Sequence, residues 1–530
     1  MTALLHNLVL STASLTPGAL AMRHRAESLD YGTLANNIEA CAVGLVALGL
    51  ARHDRVAVFL PKQFEAVIAM FGAAHAGCVF VPVNPILKPA QVEHILRDCN
   101  VRALITSPER AELLGEFLRQ CTDLKHVVVV STGATVPQPY LPLNVLTWRE
   151  LIEQHRTAQL HRVIDTDMAA ILYTSGSTGK PKGVVLSHRN MVTGALSVAE
   201  YLQNTPQDKL LAALPFSFDY GFNQLSTAFS VGASVVLMEY LIARDILKLA
   251  AQEQVTGLAG VPPLWSQLAD LEWPHTGTTA LRYITNSGGA MPAATLQKLR
   301  RSLPTTQVFL MYGLTEAFRS TYLPPAEIDR RVGSIGKAIP NAEIVVVRPD
   351  GTTCDTDEPG ELVHRGSLVA LGYWNDPEKT AERFKPAPAQ PDGLMLEEIA
   401  VWSGDTVKSD IDGFLYFIGR RDEMIKTSGY RVSPSEVEEV LFASGLVVDA
   451  AAVGVPHPTL GQAIVVVAAP APGKQANTEA LLGICKRELP TFMVPALIDW
   501  REQLPRNPNG KYDRSRLANE LRELFVGVST

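Results

Sequence analysis

The chain has 530 residues, 47% hydrophobic and 19% charged, with a formal net charge of −7 at neutral pH. At roughly 150 residues per domain the length predicts three or four folding units, and the composition excludes bulk disorder and a coiled coil. The acidic balance argues against a nucleic-acid partner, because neutralising phosphates needs a basic excess.

The first residues, MTALLHNLVLSTASLT, carry no basic n-region and are punctuated by His6, Asn7 and Ser11, so they do not read as a signal peptide. From residue 54 onward β-branched runs alternate with helical patterns. DRVAVFL (54–60) predicts a strand, KQFEAVIAMFGAAHAG (62–77) a helix ending at a glycine, CVFVPV (78–83) a strand, 89–98 a helix and RALIT (102–106) a strand. The runs HVVVV (126–130), AAILYT (169–174), ASVVLM (233–238), TGLAGV (256–261), RYITN (282–286) and QVFLM (307–311) continue the pattern. Apolar strands alternating with helices predict parallel sheets covered on both faces, hence an α/β body with more than one sheet over the first 400 residues. Residues 342–347 and 361–365 alternate apolar and polar side chains, as half-buried antiparallel strands do. KPAPAQP (385–391) predicts a stiff surface loop, and beyond GRRDE (419–423) lies a compact tail with apolar residues enough for its own core. No apolar run reaches the ~18 residues that span a bilayer. The six cysteines, Cys41, Cys78, Cys99, Cys121, Cys354 and Cys485, form no C-x-x-C pair, which predicts reduced core thiols rather than a disulfide frame or a zinc site. A cytoplasmic enzyme is the expectation.

The sharpest chemical signal is Tyr173-Thr-Ser-Gly-Ser-Thr-Gly-Lys-Pro-Lys-Gly183, with three glycines, four hydroxyls and two lysines in eleven residues. Small residues let backbone amides approach phosphate oxygens, and hydroxyls and lysines add donors and charge. It is not a Walker A loop, since two residues separate Gly176 from Gly179 and Pro181 follows Lys180.

That segment resembles the phosphate loop of the AMP-forming adenylating superfamily, which includes acyl-CoA synthetases, peptide-synthetase adenylation domains and insect luciferases. Further segments match the family in order. Asn286-Ser-Gly-Gly-Ala-Met291 resembles the adenine-facing turn, Met311-Tyr-Gly-Leu-Thr-Glu-Ala317 the Y-G-x-T-E motif, and Ser403-Gly-Asp405 the T-G-D ribose clamp with Ser for Thr. Gly419-Arg-Arg-Asp-Glu-Met-Ile-Lys426, through Pro434, resembles the hinge and the start of a mobile domain, and Asn507-Pro-Asn-Gly-Lys511 the catalytic-lysine segment. The resemblance covers nearly the whole chain from about residue 30. It implies an α/β fold: a large N-terminal domain (1–418) of mixed sheets flanked by helices, with a small barrel-like subdomain, a hinge (419–422) and a small mobile α+β C-terminal domain (423–530).

By the same resemblance, Thr174, Ser175, Gly176, Ser177, Thr178, Gly179 and Lys182 cradle the ATP phosphates, and Glu316 helps hold Mg2+, a hard cation that prefers oxygen ligands. Gly288, Gly289, Ala290, Tyr312, Gly313 and Thr315 surround the nucleotide, Asp405 takes the ribose hydroxyls, and Arg420 contacts the ribose or α-phosphate. Asp422 is the hinge. Lys511 bridges carboxylate and α-phosphate, with Glu316, Thr178 and Lys426 beside it in the catalytic set. Rotation about Asp422 exchanges Lys511 for the loop around Lys426 and Gly429, admitting the pantetheine thiol of CoA. Taken alone, several of these residues have plainer readings: Glu316 as a helix-capping acid, Tyr312 as a core aromatic, Asp405 as a turn residue, Lys511 as a solvated charge.

The acyl-pocket segment is Leu214-Pro-Phe-Ser-Phe-Asp-Tyr-Gly-Phe222. Tyr220-Gly221 fits the ligase form, while Phe218 stands where His is usual and Phe218-Asp219 also resembles the pair with which amino-acid-adenylating domains hold an ammonium group. Asp219 bonded to neighbouring backbone is the structural alternative, and a buried carboxylate needs a partner in either case. The segments Thr427–Glu436 and Gly454–Pro458 resemble acyl-CoA ligases more closely, in particular those associated with bacterial exosortase and exopolysaccharide systems. The expected activity is ATP-dependent formation of acyl-AMP from a carboxylic acid, fatty acids included, then acyl transfer to CoA. A stand-alone amino-acid-adenylating enzyme that loads a carrier protein and a non-catalytic nucleotide-binding regulator are the alternatives, and a homodimer is compatible with each.

Overall fold

The structure, a computed structural model, describes residues 4–131, 143–153, 158–174, 181–274, 280–390, 393, 395–420, 424–427, 430–457, 460–508 and 510–525. The apolar runs form the expected strands. Val56–Phe59, Val79–Pro82 and Ala169–Leu172 are buried on both faces, which is why they lack polar alternation. Helix Phe64–His75 is buried almost throughout and stops where Gly77 takes φ +79°, a conformation open to glycine at no steric cost.

Three sheets result among the described residues. One has a parallel centre, Ser234–Leu237, Lys209–Ala212, Gly257–Gly260, Tyr283–Asn286 and Gln307–Tyr312 in that spatial order. Through Thr321–Leu323 it continues into antiparallel Ser334–Ala338, Leu415–Arg420, Ile399–Ser409, Gly360–Gly366 and Ala342–Val347. A second sheet runs from Gly372–Tyr373 through Lys182–Ser187, Met168–Thr174, Val79–Pro82 and Arg55–Phe59 to Val101–Thr106, His126–Val129 and Asn144–Thr147. The third belongs to the tail: Tyr430–Val432, Ile425–Thr427, Gly461–Pro470 and Val447–His457, with Leu497–Trp500 alongside Gly461–Pro470. The tail sheet has an apolar cluster on each face, one with Val437, Leu441 and Leu481, the other with Leu504 and Leu517.

The segment 385–391 differs from its expected form. Phe384–Pro386 is a strand on Ile399–Val401, Ala387 and Pro388 are buried, and the Gln390 side chain bonds both backbone groups of Glu398 at 2.9 and 3.0 Å. Proline has no N–H to give a ladder, so it suits this edge position; Pro391 lies outside the described residues. The N-terminal residues join the core: Leu5, Leu8 and Val9 are buried, and the Leu5 amide donates to His188 Nδ1 at 3.1 Å. Five cysteines are buried, Cys354 is half-buried, and all six are free thiols. Among the described residues no helix is long and apolar enough to cross a membrane.

Candidate active site

Parallel strands place their C-terminal ends on one edge, where α/β proteins bind ligands. Thr174, Asn286 and Tyr312 are each the last residue of a strand, and all three line one cleft of about 2540 Å3 between the body and the tail. Lys182, Gly288, Gly289, Ala290, Gly313, Thr315, Glu316, Asp405, Phe218, Asp219 and Lys511 line it too. Six segments separated by up to several hundred residues thus converge.

On the phosphate side, strand Met168–Thr174 pairs antiparallel with Lys182–Ser187, Thr174 opposite Lys182. Ser175, Gly176, Ser177, Thr178, Gly179 and Lys180 lie outside the described residues. The returning strand feeds helix His188–Leu202 through a capping box in which Ser187 Oγ accepts from the Asn190 amide and Asn190 Oδ1 from the Ser187 amide. Glu316 sits in a short turn after Tyr312 and accepts from the Tyr373 hydroxyl at 2.6 Å, while Lys182 Nζ stands 5.8 Å from the Tyr373 ring centre. Burial first, and the Glu316 carboxylate second, raise the Tyr373 pKa, so the phenol stays a donor. Glu316 is therefore oriented by a tyrosine rather than capping a helix, and its oxygen chemistry in a half-buried site suits Mg2+.

On the nucleoside side, Gly288 has φ +83° and Asn286 Nδ2 holds the turn by donating to the Gly289 carbonyl at 2.9 Å. A Cβ on Gly288 would stand 3.2 Å from Lys511 Cε, so the glycine also makes room for the lysine. The Tyr312 hydroxyl donates to Asp405 Oδ2; Tyr312 is a cleft residue rather than core. Asp405 is buried within strand Ile399–Ser409, not in a turn, and faces Arg420 across the antiparallel pair. Ser403, standing for Thr, donates to the Leu362 carbonyl at 2.6 Å and accepts from the Asp405 amide at 3.1 Å.

Lys511 rides on a tight loop of the tail. Arg506 and Tyr512 form a bridge at its base, Gly510 has φ +81°, and Asn507 Oδ1 accepts from the Lys511 amide at 3.0 Å. Asp449 ties the loop down: both its oxygens accept from Arg506 Nη2 at 2.8 Å and Oδ1 from the Tyr512 hydroxyl at 2.9 Å, while Arg506 Nη1 donates to the Gly510 carbonyl at 3.1 Å. Asn84 of the body donates to the Pro508 carbonyl at 3.0 Å. Lys511 Nζ ends 5.9 Å from the centre of the Phe218 ring, inside the cleft rather than in solvent.

Asp219 departs from the structural alternative, in which it bonds to neighbouring backbone. Its carboxylate accepts from Arg319 Nη1 at 2.7 Å and from Thr315 Oγ1 at 3.1 Å, side chains of the segment that follows strand Gln307–Tyr312. Arg319 is 1% exposed and lies 4.8 Å over the Tyr220 ring. Tyr220 itself is buried one residue behind the cleft, and a Cβ on Gly221 would fall 1.8 Å from the Pro215 carbonyl oxygen, so this glycine serves a close backbone approach. Asp422 and Gly429 lie outside the described residues, Lys426 is placed by its backbone in strand Ile425–Thr427, and Arg420 by its backbone in Leu415–Arg420. Tyr373, Asn84, Asp449 and Arg319 escaped the sequence reading; each acts through a partner distant in sequence, which no local pattern marks.

Comparison with known proteins shows the family. Residues 10–374 match the AMP-binding enzyme family and residues 436–511 the AMP-binding enzyme C-terminal domain. The chain belongs to the AMP-binding enzyme family. A long-chain-fatty-acid–CoA ligase of Salmonella typhimurium is 32% identical over 95% of this chain and 92% of its own length. The L-proline–[L-prolyl-carrier protein] ligase of Streptomyces coelicolor is also 32% identical, over 93% and 92%. ATP-bound MatB from Rhodopseudomonas palustris superposes with a TM-score of 0.86 at 25% identity, covering 99% of this chain and 100% of that one.

Proposed function

We propose that this AMP-binding enzyme joins a carboxylic acid to CoA in two steps. A carboxylate oxygen attacks the α-phosphorus of ATP, the bond to the β-phosphate bridging oxygen breaks, and pyrophosphate leaves with its electron pair. The CoA sulfur then attacks the acyl carbon, AMP leaves, and the thiol proton passes to solvent. The observation that carries the reading is Lys511 in the cleft beside Phe218 and Gly288, opposite Tyr312, Asp405 and Glu316. In the first step Lys511 meets negative charge as it develops, Thr174 to Lys182 hold the β- and γ-phosphates, Tyr312 and the Gly288–Ala290 turn flank adenine, Asp405 holds the ribose and Arg420 the ribose or α-phosphate, and Glu316 would help hold Mg2+, which would supply neutralisation of phosphate charge. For the second step the tail, from 423 on, turns about the 419–422 hinge at Asp422 and brings the segment of Lys426 to the site.

Pyrophosphate release with ATP and Mg2+ over a panel of fatty, hydroxy, aromatic and amino acids tests the reading. Turnover of a simple carboxylate that depends on CoA is the expected result. Silence on every acid would favour the nucleotide-binding regulator. The amino-acid reading draws support from the likeness to the prolyl-carrier ligase, but the Asp219 charge is already met by Arg319, so a substrate ammonium there would be a second buried cation with no anion of its own. Activity confined to amino acids, with the adenylate stable until a carrier protein is added, would reverse this judgement.

The Asp449 anchor gives a separate test. Asp449→Ala frees the loop that carries Lys511, and displacements of about 1 Å cost on the order of a hundredfold. Single-turnover adenylation is expected to slow by roughly ten- to a hundredfold with the KM for ATP little changed, whereas acyl transfer from supplied acyl-AMP keeps the parent rate.

A further inference from the structure

The turn that follows strand Val79–Pro82 meets the Lys511 loop in the cleft, where Asn84 and Pro508 are both lining residues. Asn84 is 5% exposed, and both ends of its side chain are used. Its Oδ1 accepts from the Ile86 amide at 3.2 Å, which settles which way the amide points. Nδ2 is thereby left as the donor to the Pro508 carbonyl, 3.0 Å away. The turn is held by the body's own residues. The Leu87 amide donates to the Asn84 carbonyl at 3.1 Å, and Arg110 Nη1 donates to the Pro85 carbonyl at 2.7 Å. The Arg110 guanidinium in turn lies 4.6 Å over the Phe59 ring. The donor is set in place without help from the tail.

This bond differs in kind from the others on the loop. Asp449, Arg506, Tyr512 and Asn507 all belong to the tail, so the bonds they make to the loop travel with it. Asn84 belongs to the body and takes hold of the loop at Pro508, close before Lys511. Its bond is made while Lys511 stands in the cleft and is broken when the tail turns for the second step. A contact present in one of two orientations and absent from the other shifts the equilibrium between them by its own net free energy. For a neutral hydrogen bond that is roughly two- to tenfold in population.

We infer that Asn84 is a positioning residue that biases the tail toward the orientation of the first step, and so sets the partition between adenylation and acyl transfer. The inference rests on the two-step reading above and adds a residue of the body to it. Each half-reaction proceeds at a rate proportional to the population of its own orientation. The ratio of the two rates therefore follows the equilibrium between orientations, and losing the bond moves that ratio by the full factor. A residue that merely supported the fold would slow both steps together and leave the ratio where it was.

The test is a pair of single-turnover rates on the full-length protein. One is adenylation with ATP and Mg2+, using the acid the parent turns over fastest among butyrate, palmitate, benzoate and the rest of the panel above. The other is acyl transfer to CoA from the corresponding acyl-AMP, supplied directly. Asn84→Asp keeps an acceptor for the Ile86 amide but has no N–H to give Pro508; Asn84→Ala removes both ends. In each variant the ratio of adenylation to acyl transfer is expected to fall by roughly two- to tenfold, with acyl transfer at the parent rate or faster. A ratio equal to the parent's in Asn84→Asp, whether both rates hold or both fall, would overturn the inference and leave the ligase reading standing. Silence of the parent itself on every acid would instead remove the ligase reading and the inference with it.

Discussion

Lys511→Ala is expected to slow acyl-adenylate formation by roughly a hundred- to a thousandfold while acyl-AMP, supplied directly, is still converted to acyl-CoA near the parent rate. The lysine adds a positive charge and three N–H donors where carboxylate and α-phosphate, both anionic, must approach. A preorganised donor of this kind is worth on the order of 3–4 kcal/mol at the transition state. Its loop is fastened by Asp449, Arg506 and Asn84 before any substrate arrives, so little reorganisation is left for the reaction itself. On the proposed reading, the second step takes place with the tail in another orientation and makes no use of this contact. Pyrophosphate release and thioester formation, measured separately on one preparation, check the split. Equal loss of both steps would contradict two orientations of the tail.

Arg319→Leu is expected to destabilise the N-terminal body by about 3–5 kcal/mol, because it leaves the buried Asp219 carboxylate with the Thr315 hydroxyl alone. Asp219→Asn with Arg319→Leu removes both charges and is expected to recover most of that loss, since buried pairs exchanged for neutral groups are often near neutral in stability. Urea unfolding of the two variants reads the difference as midpoints, the single variant well below the parent and the double variant close to it. If Arg319→Leu unfolds with the parent and gains activity on an amino acid, Asp219 serves a substrate ammonium instead.

Much of this was legible along the chain. The strands 54–60, 169–174, 282–286 and 307–311 could be read because they are short, largely apolar runs, and the glycine-rich turns because few other residues let backbone come so close to a ligand. The cleft residues Thr174, Lys182, Gly288, Tyr312, Glu316, Asp405 and Lys511 stood in recognisable local patterns. The partners were not legible. Arg319 lies one hundred residues from Asp219 and looks like any charge after a turn; its burial follows only from the fold, which sets it over the Tyr220 ring and against the Asp219 carboxylate. Ala387 and Pro388 read as loop because composition reports a stiff backbone but not what covers it.

The sequence by itself determined the family, the order of the sheets' strands along the chain and many of the residues that line the cleft, since these depend on local periodicity and on short segments whose backbone needs are specific. Only the tertiary structure decided that Asp219 is neutralised by Arg319, that Tyr373 orients Glu316 and that Asp449 anchors the Lys511 loop. Each of those is a contact between side chains far apart in sequence, and its energy depends on distance and on exclusion of water, quantities that exist only once the chain has folded.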